Sequence, residues 1–272
     1  MVLEQLGIPV EFSHHEVSPS QHELDLRYTD ALTMADNLMT TRLAVKEVAM
    51  EHGIYATFMP KPLQDHDGSG LHLHVSLFRG DDNAFAGENG DLSAEGRSFM
   101  AGLLNHAGDI TAVTNQWVNS YKRLVSGFEA PVNVTWGRNN QSALVRVPTP
   151  KQGKDSSVRL EYRSPDPACN PYLALSAILA AGLDGIERGL EAPAETPANS
   201  HKLTREQLQT AGIARLPANL DQALDLMEGS KLVSSALGEH VFEWFLRNKR
   251  AEWDRYQHHV SRFELEEYLP VL

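Results

Sequence analysis

The pattern of apolar and polar positions predicts strands in the first part of the chain and helices in the second. Alternating positions over residues 10–17 and 21–27 predict two strands joined by the turn-like Ser18-Pro19-Ser20. Apolar residues at helical spacing predict a long helix over residues 30–52. Shorter alternating runs predict further strands over residues 55–59, 71–78, 132–136, 143–147 and 158–163.

Longer runs at helical spacing dominate the rest of the chain. Residues 93–112 are predicted to form a helix after a polar, Gly- and Asn-containing loop over 83–90. From Pro171 onward, helices are predicted over residues 172–188, 204–210, 220–237 and 239–257. This distribution predicts an α+β fold, in which one curved antiparallel β-sheet is flanked by helices and the C-terminal part is helical.

Composition narrows the class of protein. A chain of 272 residues with 42% hydrophobic content can bury a full core, and its net charge of −12 makes nucleic acid and anionic membranes unexpected partners. The lone Cys169 excludes an internal disulfide, and no apolar run is long enough for a membrane helix. Residues 1–9 contain no secretory leader, so we expect a cytoplasmic location and an internal start or a fragment.

Two glutamates lie on the predicted hairpin. Glu16 and Glu23 occupy adjacent short strands, so a tight turn would place both carboxylates on one side, where like charges repel. A cation between them would remove that repulsion. Two glutamates on a hairpin are also typical of a solvated face, so the pair alone does not establish a site.

Two later strands carry polar residues at a spacing of two. His72, His74 and Ser76 share one face of the first, and Arg159, Glu161 and Arg163 share one face of the second. Carboxylate and imidazole groups can hold a divalent metal while guanidinium groups neutralise phosphate, so the pattern predicts a metal and phosphate site. Satisfied surface histidines and a salt-bridged exposed strand would explain the same spacing without a ligand.

Several motifs occur in the same order as in one known family. They are HHEVSPSQHE, ATFMPKP, GSGLHLHVSL, NSYKRLVSGFEAPV, RVP, RLEYRSPDPACNPYLALSAILAAGLDGI and NKRAEWDRY. Together they resemble the type I bacterial branch of the glutamine synthetase family through nearly the whole chain. The resemblance implies that residues 1–272 form the catalytic domain, which in complete members follows an N-terminal β-grasp domain and a first catalytic strand.

The resemblance also implies an activity and a set of site residues. Family members are ATP-dependent ligases that join the glutamate γ-carboxylate to ammonia through a γ-glutamyl phosphate intermediate. Each uses two divalent ions, Mg²⁺ or Mn²⁺, and the resemblance implies that Glu16 and Glu23 hold the first ion while His72 and Glu161 hold the second. The other implied roles are ATP binding by His74, Ser76, Arg146 and Arg159, glutamate binding by Asp67, Gly68, Arg123 and Arg163, and catalysis by Arg123, Arg163 and the flap residue Glu129.

The chain departs from the family at a few positions. Asp67 stands where Asn is usual, and an acid there is expected to weaken the binding of an acidic substrate. Gln141 replaces an arginine near the phosphates, with Arg138 as a nearby substitute. Ser20 replaces a common glycine, and His201 aligns with the tyrosine that is adenylylated in the family, so that control is not expected.

These departures leave other functions open. One is a γ-glutamyl ligase for polyamines or small amines, which Asp67, Gln141 and His201 favour. Another is a noncatalytic fragment that keeps the fold. Family members form double rings of twelve subunits in which a neighbour's N-terminal domain completes each active site. We therefore expect a homo-oligomer, and little or no activity from this chain alone.

Overall fold

The computed structural model describes residues 2–138, 140–196 and 204–272 and has the α+β organisation expected from the sequence. Its helices are α1 (Val2–Gln5), α2 (Ala31–Glu51), α3 (Ala94–Asn105), α4 (Ala107–Thr114), α5 (Ser120–Arg123), α6 (Pro171–Glu187), α7 (Arg205–Thr210), α8 (Leu220–Glu228), α9 (Lys231–Leu237), α10 (Glu239–Gln257) and α11 (Arg262–Tyr268). Its strands are β1 (Val10–His15), β2 (His22–Leu26), β3 (Leu73–Val75), β4 (Phe78–Arg79), β5 (Asp82–Asn83), β6 (Trp136–Gly137), β7 (Val145–Arg146) and β8 (Leu160–Tyr162).

The hairpin predicted near the N-terminus is confirmed. β1 and β2 pair as a two-stranded antiparallel sheet in which His14 lies opposite Glu23. The turn is closed by a main-chain bond in which the N–H of Gln21 donates to the carbonyl of Ser18 at 3.1 Å. Ser20 has φ of +57°, in the left-handed region that favours glycine. The turn therefore has the conformation for which the family's glycine is suited.

A second sheet has four strands in the order β3, β8, β7, β6. β8 runs antiparallel to β3 and β7, whereas β6 and β7 run parallel. β4 and β5 form a separate antiparallel ribbon, so the described strands make three sheets and not one continuous antiparallel sheet. Alternation along a strand reports which side chains share a face, but it does not identify the neighbouring strand or its direction.

Two predicted strands differ from the structure. Residues 55–59 form no strand, since Tyr55 is 84% exposed and the prolines at 60 and 62, which lack an N–H group, follow directly. Residues 132–136 join the sheet only at Trp136. Before that point the chain pairs with residues 214–216, where the N–H of Val134 donates to the carbonyl of Ala214 at 2.8 Å.

The predicted helices are found, but two of them are divided. The helix predicted over residues 93–112 breaks at His106, which ends α3 and begins α4. The helix predicted over 220–237 breaks at Gly229 and Ser230, and the Ser230 hydroxyl caps α9 by accepting from the N–H of Val233 at 3.4 Å. No helix in the described part of the chain combines the length and apolar character needed to cross a membrane.

The main core lies behind the four-stranded sheet, between the sheet and the helices α3, α4, α6 and α8. Leu160 and Tyr162 of β8 are completely buried on the core side. Glycine allows α3 and α6 to pack closely, since a Cβ atom at Gly102 would lie 2.2 Å from the carbonyl oxygen of Ala181. Glu161, between the two buried residues of β8, points to the opposite face. The core thus fixes a polar face of the sheet on its other side.

Candidate functional site

The hairpin gathers two glutamates and a histidine. Glu16 follows β1, while His14 and Glu23 lie opposite each other on β1 and β2. One potential ligand atom from each of the three residues lies within 4.8 Å of the others. The Nε2 atom of His14 is 3.7 Å from the Glu23 carboxylate, which is too far for a hydrogen bond. The group is therefore close enough to share a cation, and His14 forms no hydrogen bond with either glutamate.

The charge of this group is poorly balanced. The pKa of Glu23 is raised to about 7, chiefly by burial and then by a hydrogen bond with Glu16 and the charges of Asp25 and Glu16. Burial also raises the pKa of Asp25, whose Oδ2 atom is buried and has no hydrogen-bond partner in the described part of the chain. Sequence reasoning missed Asp25, although it is two residues from Glu23 on the same strand and therefore shares its face.

A row of polar side chains crosses the four-stranded sheet. His74 of β3, Glu161 of β8 and Arg146 of β7 are directly paired in the strand register. The buried Glu161 carboxylate forms ion pairs with Arg146 and Arg163, and one of its oxygens lies 3.5 Å from Nδ1 of His72. The sequence predicted one polar face on each of the two strands, and the structure brings His72, Glu161 and Arg163 together on one side of the sheet.

His72 and His74 are both neutral at physiological pH. Burial lowers the pKa of His72 well below its usual value, and the neighbouring Arg163 and Arg123 act in the same direction. Burial likewise lowers the pKa of His74 to about 4. The guanidinium of Arg159 donates from Nε to Nδ1 of His74 at 2.9 Å, so the other ring nitrogen carries the proton. A neutral imidazole is the form that binds a metal or accepts a hydrogen bond.

Arg163 has an unusual buried donor. Its Nη1 pairs with Glu161, but its Nε atom is buried and has no partner among the described residues. A buried guanidinium donor without a partner is costly unless a ligand or water completes it. Ser76, directly after β3, is half-buried on the same side of the strand as His74.

Arg123 is positioned differently from the other arginines. It is 2% exposed, and its guanidinium donates to three main-chain carbonyls, those of Arg163, Ser164 and Pro165. Burial lowers its pKa to about 10, so it remains charged at neutral pH. In this structure Arg123 fixes the path of the chain after β8, and its donors are occupied by protein groups.

A buried polar network that sequence reasoning missed supports that segment. The Asn115 side chain donates to the carbonyl of Ser164 at 2.8 Å and to the Asp166 carboxylate at 3.0 Å. Asp166 also accepts from the N–H of Ala168 at 3.1 Å, while burial raises its pKa. These groups follow Arg163 in sequence, so the network holds the end of β8 in place. Only the motif with Asp166 next to two prolines marked this segment in the sequence.

The hairpin turn docks onto the loop that carries Asp67 and Gly68. The Ser18 hydroxyl donates to the carbonyl of Asp67 at 2.8 Å, and the Gln21 side chain donates to the carbonyl of Gly68 at 3.2 Å. Glycine is required at 68 because a Cβ atom there would lie 2.4 Å from the carbonyl oxygen of Pro60. The backbone of Pro60 therefore occupies the space that a side chain at position 68 would need.

The predicted flap lies beside this loop. The exposed Glu129 donates its N–H to the Asp67 carboxylate at 2.8 Å. The Asp67 charge is thus directed toward the flap. Arg138, considered above as a substitute for the arginine absent at Gln141, is engaged elsewhere, since its guanidinium donates to Asp91 at 2.6 Å. His201 lies outside the described residues.

Together, the fold and the site define an α+β protein in which a carboxylate-rich hairpin adjoins a sheet face of histidine, glutamate and arginine. Such a site can hold divalent cations next to anionic oxygens. The family described as "Glutamine synthetase, catalytic domain" matches residues 1–268 of the chain. The chain belongs to the glutamine synthetase family.

Individual relatives agree with this assignment. Proteins named glutamine synthetase from Mycolicibacterium smegmatis and Mycobacterium tuberculosis H37Rv are 56% and 57% identical, over 99% of this chain and 61% of their own length. That of Thermotoga maritima is 48% identical. A solved structure described as a GmaS/ADP complex matches with a TM-score of 0.84 at 37% identity, over 98% of this chain and 61% of that one. The chain spans about three-fifths of the length of these relatives.

Proposed function

We propose that the protein carrying this chain is a glutamate–ammonia ligase that consumes ATP, with residues 1–272 as its catalytic domain. The observation that carries the proposal is the convergence of Glu16 and Glu23 on a hairpin whose turn is bonded to the Gly68 loop. Relatives named glutamine synthetase at up to 57% identity favour ammonia as the acceptor over polyamines. They also give little support to the alternative of a noncatalytic fragment.

Two divalent cations, Mg²⁺ or Mn²⁺, would fit the residues present. Glu16 and Glu23 would hold the first, because their hard oxygen atoms converge and the raised pKa of Glu23 marks a deficit of positive charge. His72 and Glu161 would hold the second, since a neutral imidazole and a carboxylate lie side by side. When bound, such ions neutralise carboxylate and phosphate oxygens.

The arginines of the sheet face would serve phosphate binding. Arg146 and Arg163 both pair with Glu161 here, so a cation arriving at Glu161 would release guanidinium donors for the phosphate oxygens of ATP. The unpartnered Nε of Arg163 is already available to a phosphoryl oxygen. His74, Ser76 and Arg159 complete the proposed ATP contacts at the end of β3 and the start of β8.

The proposed reaction has two steps. An oxygen of the glutamate γ-carboxylate attacks the γ-phosphorus of ATP and ADP leaves, which gives γ-glutamyl phosphate. Ammonia then attacks the γ-carbon, and phosphate leaves with the electron pair of the broken C–O bond. Arg163 would stabilise the charge on the transferred group, and Glu129 would accept the proton of the incoming ammonium.

Glutamate is proposed to bind at the loop of Asp67 and Gly68. Arg123 underlies this loop, because a Cβ atom at Gly68 would lie 2.9 Å from the Arg123 side chain. We propose that Arg123 contributes a positive field and fixes the loop, while Arg163 reaches the substrate directly. The carboxylate of Asp67 accepts a hydrogen bond from the N–H of Glu129 in the flap, which reduces its repulsion of an acidic substrate.

The proposed partners are glutamate, ATP, ammonia and further copies of the chain. Family members assemble as dodecamers, and the C-terminal segment offers apolar side chains to a partner, with Leu269 75% and Leu272 100% exposed. A cytoplasmic location would supply the ATP.

Nucleotide binding by this chain tests the proposal before any turnover assay. A non-hydrolysable ATP analogue would be titrated calorimetrically with and without Mg²⁺ or Mn²⁺, into the wild type and Glu161→Ala. Metal-dependent binding that is lost in Glu161→Ala is expected. Glu228→Ala is the matched control, because Glu228 also pairs with an arginine but lies on α8.

Acceptor choice is tested in the complete protein. Phosphate release from ATP would be compared with ammonium, putrescine, spermine and ethanolamine. The ammonia assignment predicts the highest kcat/KM with ammonium. Release only with the organic amines would reject it, and the absence of metal-dependent nucleotide binding in the complete protein would reject the ligase proposal as a whole.

A further inference from the structure

Lys61 is a buried cation that the proposed chemistry does not use. It is 8% exposed, and no carboxylate in the described part of the chain forms an ion pair with it. Its ammonium donates to the carbonyl of His66 and lies 3.6 Å from the centre of the Phe128 ring. A lysine held without an anionic partner needs a specific reason, since an unpaired buried charge is costly. The aromatic face supplies part of the compensation.

The backbone of Lys61 is also held by hydrogen bonds. Its N–H donates to the Asn119 side chain at 2.8 Å, and its carbonyl accepts from the same side chain at 3.1 Å. Asn119 precedes α5, the short helix that leads through Arg123 into the flap. Lys61 is therefore fixed to the chain at the start of the flap and, through Phe128, to the flap itself.

The flap, defined here as residues 124–130, is buried at its two ends, where Leu124 and Ala130 belong to the core, and is more exposed between them. Residues 125–127 are exposed, and a Cβ atom at Gly127 would meet nothing within 4 Å. Phe128 contacts Lys61, and Glu129 donates its N–H to the Asp67 carboxylate at 2.8 Å. Both anchors belong to the segment from Lys61 to Asp67, and the Lys61–His66 bond braces that segment.

We propose that Lys61 and Asp67 are positioning residues that together hold the flap over the Gly68 loop, Lys61 through the Phe128 ring and Asp67 through the Glu129 N–H. This inference rests on the proposed ligase function, in which the flap shields an acyl phosphate from water. Without the two anchors, the flap would spend more time open, and water would compete with ammonia for the γ-carbon.

The positioning role also explains why an acid is acceptable at position 67. The donor at this position is a backbone N–H, which either a carboxylate or a side-chain amide oxygen can accept. Asp67→Asn should therefore keep the flap in place, whereas Asp67→Ala should release it. The distinction separates a loss of charge from a loss of the acceptor.

Hydrogen exchange of the flap amides in this chain tests the anchors without any turnover. Lys61→Met, Phe128→Leu and Asp67→Ala are each expected to speed exchange across residues 124–130 by about tenfold, while Asp67→Asn stays near the wild-type rate. Lys46→Met is the matched control, because Lys46 lies over the Phe58 ring at 5.9 Å outside the flap. Unchanged flap exchange in both Lys61→Met and Phe128→Leu would overturn the proposal.

A second measurement, in the complete protein, links the anchors to the reaction. The ratio of phosphate released to amide formed is expected to rise by about tenfold in Lys61→Met and Asp67→Ala, and to return toward one in Asp67→Asn. A merely structural role would lower thermal stability and leave this ratio unchanged, which would also overturn the proposal. Faster flap exchange in a protein whose wild type forms no amide would leave the anchors supported and the ligase function rejected.

Discussion

Two histidine–carboxylate clusters, one around His14 at the hairpin and one around His106 between α3 and α4, differ in their hydrogen bonding. At the hairpin, Nε2 of His14 lies 3.7 Å from the nearest oxygen of Glu23. Between α3 and α4, Nδ1 of His106 lies 2.9 Å from Asp109 and Nε2 lies 2.8 Å from Asp184. Only the second set of distances corresponds to hydrogen bonds. Histidine and carboxylate side chains therefore form an open cluster in one place and a closed one in the other.

The pKa shifts of the acids separate the clusters in the same way. Burial, followed by a hydrogen bond with Glu16, raises the pKa of Glu23 to about 7. The pKa of Asp184 is instead lowered, chiefly by its hydrogen bond with His106. A lowered pKa reports a partner that stabilises the charged carboxylate, whereas the raised pKa of Glu23 reports burial and like charges that no partner offsets. The balance of charge and distance distinguishes the proposed cation site at the hairpin from the closed cluster.

Removing a hairpin carboxylate should have the largest effect. Glu23→Gln is expected to weaken Mn²⁺ binding by about 100-fold or more, because an amide lacks the charge of a direct ligand. Binding would be followed through the electron paramagnetic resonance signal of free Mn²⁺. Asp109→Asn makes the same chemical change in the closed cluster and should leave the affinity unchanged. Equal weakening by both variants would abolish the distinction between the clusters.

Removing the histidine should affect stability more in the closed cluster than in the open one. His106→Asn is expected to lower the free energy of unfolding by about 2 kcal/mol, since two hydrogen bonds to charged groups are lost in a largely buried site. His14→Asn should leave it nearly unchanged, because its exposed ring makes only long contacts with the acids. Urea denaturation measures both values. A larger loss for His14→Asn than for His106→Asn would contradict the comparison.

The pH dependence of stability should follow the closed cluster. The hydrogen bond with Asp109 comes first among the causes that raise the pKa of His106, and Asp184 adds to it. The protonated ring therefore contributes full stability below the unfolded pKa of about 6.5, and this contribution is lost as pH rises through the higher folded value. The other polar groups around the cluster are Asn105, which contacts the ring, and Ser230 and Arg188, which bind its acids.

Urea unfolding between pH 6 and pH 9 would reveal this contribution. The difference in unfolding free energy between the wild type and His106→Asn is expected to shrink as pH rises. A difference that stays constant across this range would show that folding does not raise the pKa of His106.

The hairpin and the break at His106 differ in how far the sequence predicts them. The hairpin was predictable because alternation with a period of two places residues on one face within a few positions. The break at His106 was not, since the apolar pattern runs through residues 93–112 without interruption. The bond that accompanies this break joins His106 to Asp184, 78 positions later. Local periodicity carries no information about such a partner.

In the candidate site, too, local spacing predicted some features, whereas others depend on residues far away in the sequence. The polar faces of β3 and β8 followed from strand spacing, whereas the acceptor role of Asp67 depends on a flap residue 62 positions away. Asp25 could have been included by the alternation rule, because it lies two positions after Glu23 on the same strand. Arg123 was assigned to the substrate by family resemblance alone, and only its buried contacts with main-chain carbonyls show how it shapes the loop.

The smallest predicted effect concerns strain in the hairpin turn. Ser20 adopts φ of +57°, a region that costs a residue with a side chain about 1 kcal/mol, while glycine enters it without strain. Glycine loses more entropy on folding, so Ser20→Gly should raise the free energy of unfolding by only about 0.5 kcal/mol. Asn89→Gly is the matched control at φ of +56°, and it should gain less because asparagine tolerates this region. If Ser20→Gly destabilises the protein while Asn89→Gly does not, the turn of the open cluster is not strained.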